Sequence, residues 1–500
     1  MQNDWRKMLF EMSRERAWRN WIDFVLLAIA VGVLCAIAWQ ALHIGHWRHD
    51  ELEYIGWGDM IYRTQSEGRW LNLLLYYPAK IFGPEFGWIL DTLLLGAGVA
   101  IIFWRLGLNW CYAALVSIIL LFFPGYAAQS LWPTSTLPGL AIFFGSTVLL
   151  VRDRLLWIEI SRLWILPLAG IALFATMPYF YVLLLPLLLP QKAIRTWAEF
   201  FMSLIPGVIW SVGLVLGYLV SILINGLRYG NYGLELQDWR KEAALEIEGG
   251  PFSVAAHYFA MMFNDMALWL PVVSIIGWGL VTAAVLFVWF RNGGNILNLV
   301  LKLGFLSVVM IMPYVFGMMG GIVVSFRSAV PCALAIIALP FLFTVGRNWK
   351  PVAAAALVLI GAPSALETVG DLRWLSAMAH ANNLAVELAI PIGVDTNRRA
   401  VLMTEGYDAY MEGQLQAMNL ARTEPVFLES LSGEAFRIGP AFFENGYLDF
   451  EDCSSNEIDC PLLRASETPL NECNRDQRSI CAESILPDGS VLFRFRAGIE

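Results

Sequence analysis

The sequence predicts an α-helical polytopic membrane protein with a small soluble α+β domain at its C-terminal end, and three observations predict it. Apolar residues make up 58% of the 500 positions against 15% charged, and they come in long runs. A soluble domain of this size needs far fewer, so the runs read as membrane spans. Basic clusters punctuate those runs. Four of the seven cysteines lie together in the polar region after residue 370. The formal charge of −9, from 33 basic and 42 acidic residues, provides no basic face for nucleic acid.

Taken in order, Arg6, Lys7, Arg14, Arg16 and Arg19 precede the first apolar run, and the positive-inside rule places this N-terminus in the cytoplasm. Trp21 to His43 is too long for a signal-peptide core, so it reads as a retained span. It delivers a first outer loop, 44–85, whose segment Asn72 to Phe82 is expected to lie along the interface before Gly83-Pro84. Spans then follow at about 86–104, 108–124 and onward to Arg152-Asp153-Arg154. Between Arg162 and Gln191 lie 28 residues with basic ends and Met177-Pro178-Tyr179 at the centre. Two short helices turning at Pro178 keep both ends inside, and helices that short leave the turn in a recess open to the outside. Further spans at about 203–224, 266–290 and 303–324, another closing at Arg347, and one at 351–365 bring the count to about eleven. That parity puts the C-terminus outside. The chain divides into a transmembrane part, 1–370, and an extracytoplasmic domain, 371–500, which opens on the amphipathic stretch Leu372 to Ile390.

Cysteine placement agrees with the parity. Cys453, Cys460, Cys473 and Cys481 suit two disulfides in an oxidising compartment, with three pairings open. Their spacings of 6, 12 and 7 intervening residues contain no C-x2-C pair of the kind zinc sites use. Cys35, Cys111 and Cys332 fall inside apolar runs and read as core.

Chemistry concentrates just after the first span, in His49-Asp50-Glu51-Leu52-Glu53-Tyr54, then Trp57, Asp59, Arg63 and Gly68-Arg69-Trp70. A carboxylate within reach of a hydroxyl can take its proton, which makes Asp50, Glu51 and Asp59 the candidate catalytic groups. Arg63, Arg69 and the distant Arg327 are the candidates for binding a phosphate, because a guanidinium can hold two of its oxygens together. Tyr54, Trp57, Trp70, Trp132 and Tyr179 offer rings for a sugar or an acceptor. Each has a plainer alternative: Asp59 and Arg63, four apart, as a surface helix pair; Arg69 as a snorkelling interfacial residue; Asp50-Glu51 as a solvated loop; Arg327 as a span flank; the aromatic residues as an interfacial belt. No metal site is assigned, but His43, His46 and His49 run into Asp50 and keep a divalent ion as an open alternative.

The acidic pair of Asp50-Glu51-Leu52-Glu53-Tyr54 in the first outer loop, followed by Gly68-Arg69-Trp70, resembles the GT-C superfamily of membrane glycosyltransferases. Asp59, Arg63 and Gly68-Arg69 in a second register are similar to the bacterial O-antigen glucosyltransferases within it. The match is confined to about two dozen positions, and the two registers put different aspartates in the catalytic place. The resemblance implies an inverting hexosyltransferase of a bacterial inner membrane, with a periplasmic active site and a C-terminal domain shaping the acceptor site. Its expected partners are a polyprenyl-phosphate-linked sugar donor, a glycan or lipid-linked acceptor, and membrane lipid. Some members use a divalent cation, so no cofactor is assigned. The rival functions are a transporter or flippase for lipid-linked sugars, a polymerase or ligase for lipid-linked glycans, and a structural scaffold. Asp91 is the clearest acidic residue inside a span, but it stands near the outer end, and the charge otherwise lies in the outer loops rather than at the mid-membrane depth where transporters place it.

Overall fold

The computed structural model describes Val25, Ala28 and Gly32, and residues 67–108, 110–123, 125–126, 132–151, 162–190, 193–234, 250–269, 272–320, 324, 326–343, 350–390, 396–403, 406–417, 434–447, 449–453, 468–470 and 480–495. Asp50, Glu51, Tyr54, Trp57, Asp59 and Arg63 lie outside the described residues, as do Cys460, Cys473 and the series His43, His46 and His49.

The described chain is mostly helical. In order come α1 (Asn72–Arg105), α2 (Trp110–Leu121), α3 (Pro133–Leu150), α4 (Ile165–Phe174) and α5 (Tyr179–Val182). After a 3-10 turn, Leu185–Leu188, follow α6 (Trp197–Tyr229), α7 (Pro251–Trp269), α8 (Val272–Arg291) and α9 (Ile296–Gly320). A second 3-10 turn, Phe326–Ala329, leads into α10 (Val330–Leu342) and then α11 (Lys350–Ala389). Among the described residues three segments are long and apolar enough to cross a membrane: Phe86–Arg105, Trp197–Tyr229 and Ile296–Met318. Several other apolar helices among the described residues are only 10–17 residues long.

Three boundaries differ from the expectation. α1 runs unbroken through Gly83 and Pro84, because an apolar helix keeps all its other backbone bonds when one proline removes a single donor. The span expected at 266–290 is divided between α7, which ends at Trp269, and α8, which starts at Val272; Pro271 stands at the junction. The last expected span and the amphipathic stretch after it form one 40-residue helix, α11. Asp371 does not end it.

Packing in the helical part rests on small residues. α6 is started by a capping box, in which the Thr196 side chain accepts from the Glu199 backbone N–H while Glu199 reaches back to the Thr196 N–H. Its buried face is Ser203, Trp210, Gly213, Gly217, Ser221 and Asn225, spaced by three, four or seven. The opposite row, Val208, Val212, Val215, Leu219, Leu223 and Leu227, is exposed, a surface suited to lipid tails. Gly213 and Gly217 let α4 approach closely through Gly170. The Tyr181 ring stacks on Trp210 at 5.0 Å, and the Trp210 indole N–H donates to the Tyr181 carbonyl at 3.0 Å. α5 is thereby locked to α6.

The segment from Ile165 to Pro190 folds as the short α4, a turn over Ala175 to Pro178, the single turn of α5 and the 3-10 turn. Ten residues of α4 rise about 15 Å, half of a hydrocarbon core. The far end is clamped. Asn298 accepts from the Ile194 N–H at 2.9 Å, and the amides of Asn295 and Asn298 both donate to the Ile194 carbonyl.

The C-terminal domain is a five-stranded sheet of β1 (Arg399–Met403), β2 (Asp449–Cys453), β3 (Thr468–Pro469), β4 (Ile480–Ile485) and β5 (Val491–Phe495), in the order β2-β1-β5-β4-β3. β1 pairs parallel to both β2 and β5, while β4 is antiparallel to β3 and β5. Ala400 and Leu402 face a core with Val386 of α11, Phe442 of α13 (Glu434–Glu444) and Phe493. Val401 and Met403 are buried on the other face. Burial on both faces explains why β1 reads as a continuous apolar run. The remaining helix, α12 (Tyr407–Ala417), joins this core through Tyr410.

Cys453 and Cys481 are both disulfide-bonded. In the register Cys453 stands opposite Met403, Met403 opposite Arg494, and Arg494 opposite Cys481. The two cysteines are therefore three strand spacings apart, about 14 Å, twice the reach of a disulfide. They are not bonded to each other. Non-reduced peptide mapping by mass spectrometry is expected to give no Cys453–Cys481 linked pair; finding one would refute the strand order.

At the β4–β5 turn the Asp488 carboxylate accepts from the Ser490 backbone N–H at 2.9 Å and from its hydroxyl at 2.6 Å. Partial burial raises this carboxyl, but the Ser490 bonds and the nearby Arg399 outweigh it and hold its pKa below the ordinary value. A carboxyl depressed in the folded state adds stability above its unfolded pKa, about 3.9, and that stability is lost as pH falls through the folded value. The melting temperature of Asp488→Asn is thus expected below that of wild type at pH 6, with the gap closing towards pH 3. A gap that stays constant with pH would sink the assignment.

Candidate functional site

The described end of the acidic stretch is a tight turn, Glu67 to Leu71, that leads directly into α1. Gly68 carries φ +90, and a Cβ there would stand 2.7 Å from Leu234 Cδ2 and 3.5 Å from Ser221 Cβ. Only glycine suits both the backbone and the space. The turn is pinned by the Leu71 N–H, which donates to the Ala175 carbonyl at the end of α4, and by the Asn72 N–H, which donates to the Arg69 carbonyl, both at 3.1 Å. Two distant parts of the chain, the α4 tip and the Ser221 end of α6, therefore hold Gly68-Arg69-Trp70 in place.

Polar groups gather at this seat. Arg69 Nη2 lies 3.5 Å from the Glu67 carboxylate, whose side chain is only 7% exposed. The Asn225 amide donates to the Gly233 carbonyl at 2.9 Å, closing the loop that follows α6 over the same region. Ser221 and Asn72 are buried. The hydroxyl of Ser221, both amide atoms of Asn72 and the Trp70 indole N–H find no hydrogen-bond partner.

The other predicted residues are distributed around the helical part. Tyr179 opens α5 and is buried, tilted against Phe180 at 4.7 Å. Trp132 is the N-cap of α3, also buried, and its carbonyl accepts from the N–H groups of Ser135 and Thr136. Arg327 sits in the 3-10 turn ahead of α10. α5 packs against both α9 and α10, so the segment that begins beside the Gly68 turn continues to the helices bearing the Arg327 turn. Among the described residues no three of His, Cys, Asp and Glu are grouped to hold a metal ion.

Two carboxylates elsewhere in the helical part carry geometry of their own: Asp265, which the sequence did not single out, and Asp91, which it did. Asp265 of α7 is half-buried and accepts a hydrogen bond from the Tyr314 hydroxyl of α9 at 2.6 Å. One acidic residue in a helix of otherwise apolar and weakly polar residues was the available signal, but its partner is 49 positions away. Asp91 is wholly buried within the Phe86–Arg105 segment. It shares a hydrogen bond with the Thr136 hydroxyl in the first turns of α3, where the helix dipole favours a carboxylate. Its second oxygen has no hydrogen-bond partner.

Unmet donors and acceptors thus gather around the Gly68 turn, with the Arg69 guanidinium beside them. No protein-family model matches the chain, and neither the curated proteins nor the solved structures provide a match.

Proposed function

We propose that the chain is a GT-C-like inverting glycosyltransferase of a bacterial inner membrane, moving a hexose from a polyprenyl-phosphate donor to an extracytoplasmic glycan or lipid-linked acceptor. In this reading the protein crosses the bilayer about eleven times, with its N-terminus cytoplasmic and its C-terminal domain periplasmic. A carboxylate among Asp50, Glu51 and Asp59 takes the proton of the acceptor hydroxyl. The hydroxyl oxygen attacks the anomeric carbon from the face opposite the lipid phosphate, whose bond to the sugar breaks with the electron pair leaving on the phosphate. Arginine neutralises the charge that grows there. The C-terminal domain borders the acceptor.

The observation that supports this reading best is the Gly68-Arg69-Trp70 turn, held between the α4 tip and the polar end of α6. It joins the end of the acidic stretch to the tip of α4, a helix too short to cross a bilayer, which supports a substrate that reaches the site from the lipid. The test is transfer of labelled hexose from polyprenyl-phosphate-hexose to envelope glycan by membranes containing the protein. Loss of transfer on changing one of the three carboxylates at matched expression is the expected result; transfer indifferent to all three removes the proposal.

The transporter reading rests on one observation, the buried Asp91 inside an apolar helix. It gains if wild-type membranes transfer nothing from any donor while translocation of a lipid-linked sugar depends on Asp91.

A further inference from the structure

We propose that Trp70, Asn72 and Ser221 form the seat of the donor's neutral sugar ring, distinct from whatever holds its phosphate; this rests on the glycosyltransferase reading and assigns the substrate's parts within that site. Asn72 is 5% exposed and Ser221 is fully buried, yet Asn72 Nδ2 and Oδ1, Ser221 Oγ and Trp70 Nε1 have no hydrogen-bond partner. Buried polar groups are ordinarily met, so four unmet atoms around one turn call for a ligand or bound water to complete them. They belong to neighbouring stretches of backbone: Ser221 Cβ lies 3.5 Å from the Cβ position of Gly68, Trp70 stands in the same turn, and Asn72 opens α1 directly after it.

The kind of atom decides the kind of ligand. Asn72 presents a donor and an acceptor, Ser221 can act as either, and Trp70 presents a donor on the edge of a large apolar ring. A phosphate at this pH offers acceptors almost alone and would leave the Asn72 carbonyl unmet. Sugar hydroxyls both donate and accept, and the ring face of a hexose suits an indole. Charge points the same way, since Arg69 is set against Glu67 beside the seat. A neutral polyhydroxylated ring fits these groups; an anion does not.

The experiment uses the full-length protein, purified in a detergent without a sugar headgroup. Two probes are compared in equilibrium binding: a short-chain prenyl phosphate, and the same prenyl phosphate carrying glucose or galactose. Wild type is expected to bind at least one hexose form about ten-fold more tightly than the bare phosphate. Asn72→Leu and Ser221→Ala are expected to remove that advantage while leaving prenyl phosphate binding within two-fold. Ser221→Ala deletes one oxygen from a helix interior, so it serves where Asn72→Leu fails to fold. Equal binding of the two probes by wild type overturns the seat, as does an unchanged sugar advantage in Ser221→Ala, which would mean that water alone completes these groups. Equal weakening of both probes also overturns it, in favour of a structural or phosphate role. Transfer activity is read separately: sugar-dependent binding without transfer keeps the seat and removes the glycosyltransferase reading, and transfer without sugar-dependent binding does the reverse.

Discussion

Gly170→Leu is expected to reduce the yield of folded, monodisperse protein at least ten-fold. A Cβ on Gly170 would stand 2.4 Å from the carbonyl oxygen of Gly213 and 2.5 Å from its carbonyl carbon, and one on Gly217 would stand 2.6 Å from the Gly170 oxygen. These are backbone atoms within helices, so no side chain can swing aside to relieve the clash. Relief requires α4 to move away from α6. That movement would pull on Tyr181, whose hydroxyl sits 2.9 Å from both the Leu166 and Trp210 carbonyls and can donate to one at a time. Overpacking usually costs about 1 to 3 kcal/mol, and a clash against two backbones belongs at or above the upper end. Gly304→Leu is the control: nothing lies within 4 Å of its Cβ position, and leucine is the better helix former. Wild-type yield from Gly170→Leu would show that α4 does not pack where it is described.

The largest effect on activity is expected from the catalytic carboxylate. Removing a general base typically slows its reaction about 100- to 10,000-fold. Asp50→Asn and Asp59→Asn correspond to the two registers, so one is expected to show the full loss and the other a change of a few-fold. Glu51→Gln separates a base from an orienting neighbour, because an orienting residue affects acceptor KM more than kcat. The measurement is initial-rate transfer over a range of acceptor concentrations, with donor saturating and protein quantified in each membrane preparation. Equal, partial losses in all three would point to a shared electrostatic role and leave neither register preferred.

Much of the helical part was legible because apolar runs and prolines act locally. The turn at Pro178 and the shortness of α4 both follow from what a helix can bury and what a proline interrupts. The exposed row of α6 shows as plainly in its valines and leucines. Its Gly213 to Gly217 spacing is visible too, but the partner, Gly170, belongs to another helix and no local pattern names it. Continuity of α11 was hidden for a different reason. Glu367 and Asp371 look like the end of a span, yet charge ends only the apolar environment, and a helix passing into water keeps its backbone bonds. In the C-terminal domain, Ala400 to Met403 reads as a short apolar patch that fits a strand or a buried helix equally well. Only pairing with β2 and β5 decides it. At the candidate site, Trp70 and Arg69 were visible by residue type, whereas Asn72, Ser221 and Asp265 became candidates only when folding exposed their unmet or long-range hydrogen bonds.

α11 joins the two parts of the chain as one rod. It packs on α8 and α2 at one end and on α13 and β4 at the other, and its 40 residues extend about 60 Å. Such a connection transmits angle as well as distance. Each residue inserted or deleted midway would turn the sheet by about 100° and shift it by about 1.5 Å. The orientation of the C-terminal domain is therefore set by a residue count, as the bitting of a key is set by the length of its shank. A single-residue insertion would re-aim the domain with every one of its internal contacts intact, and a seven-residue insertion, close to two full turns, would restore its heading at a greater height.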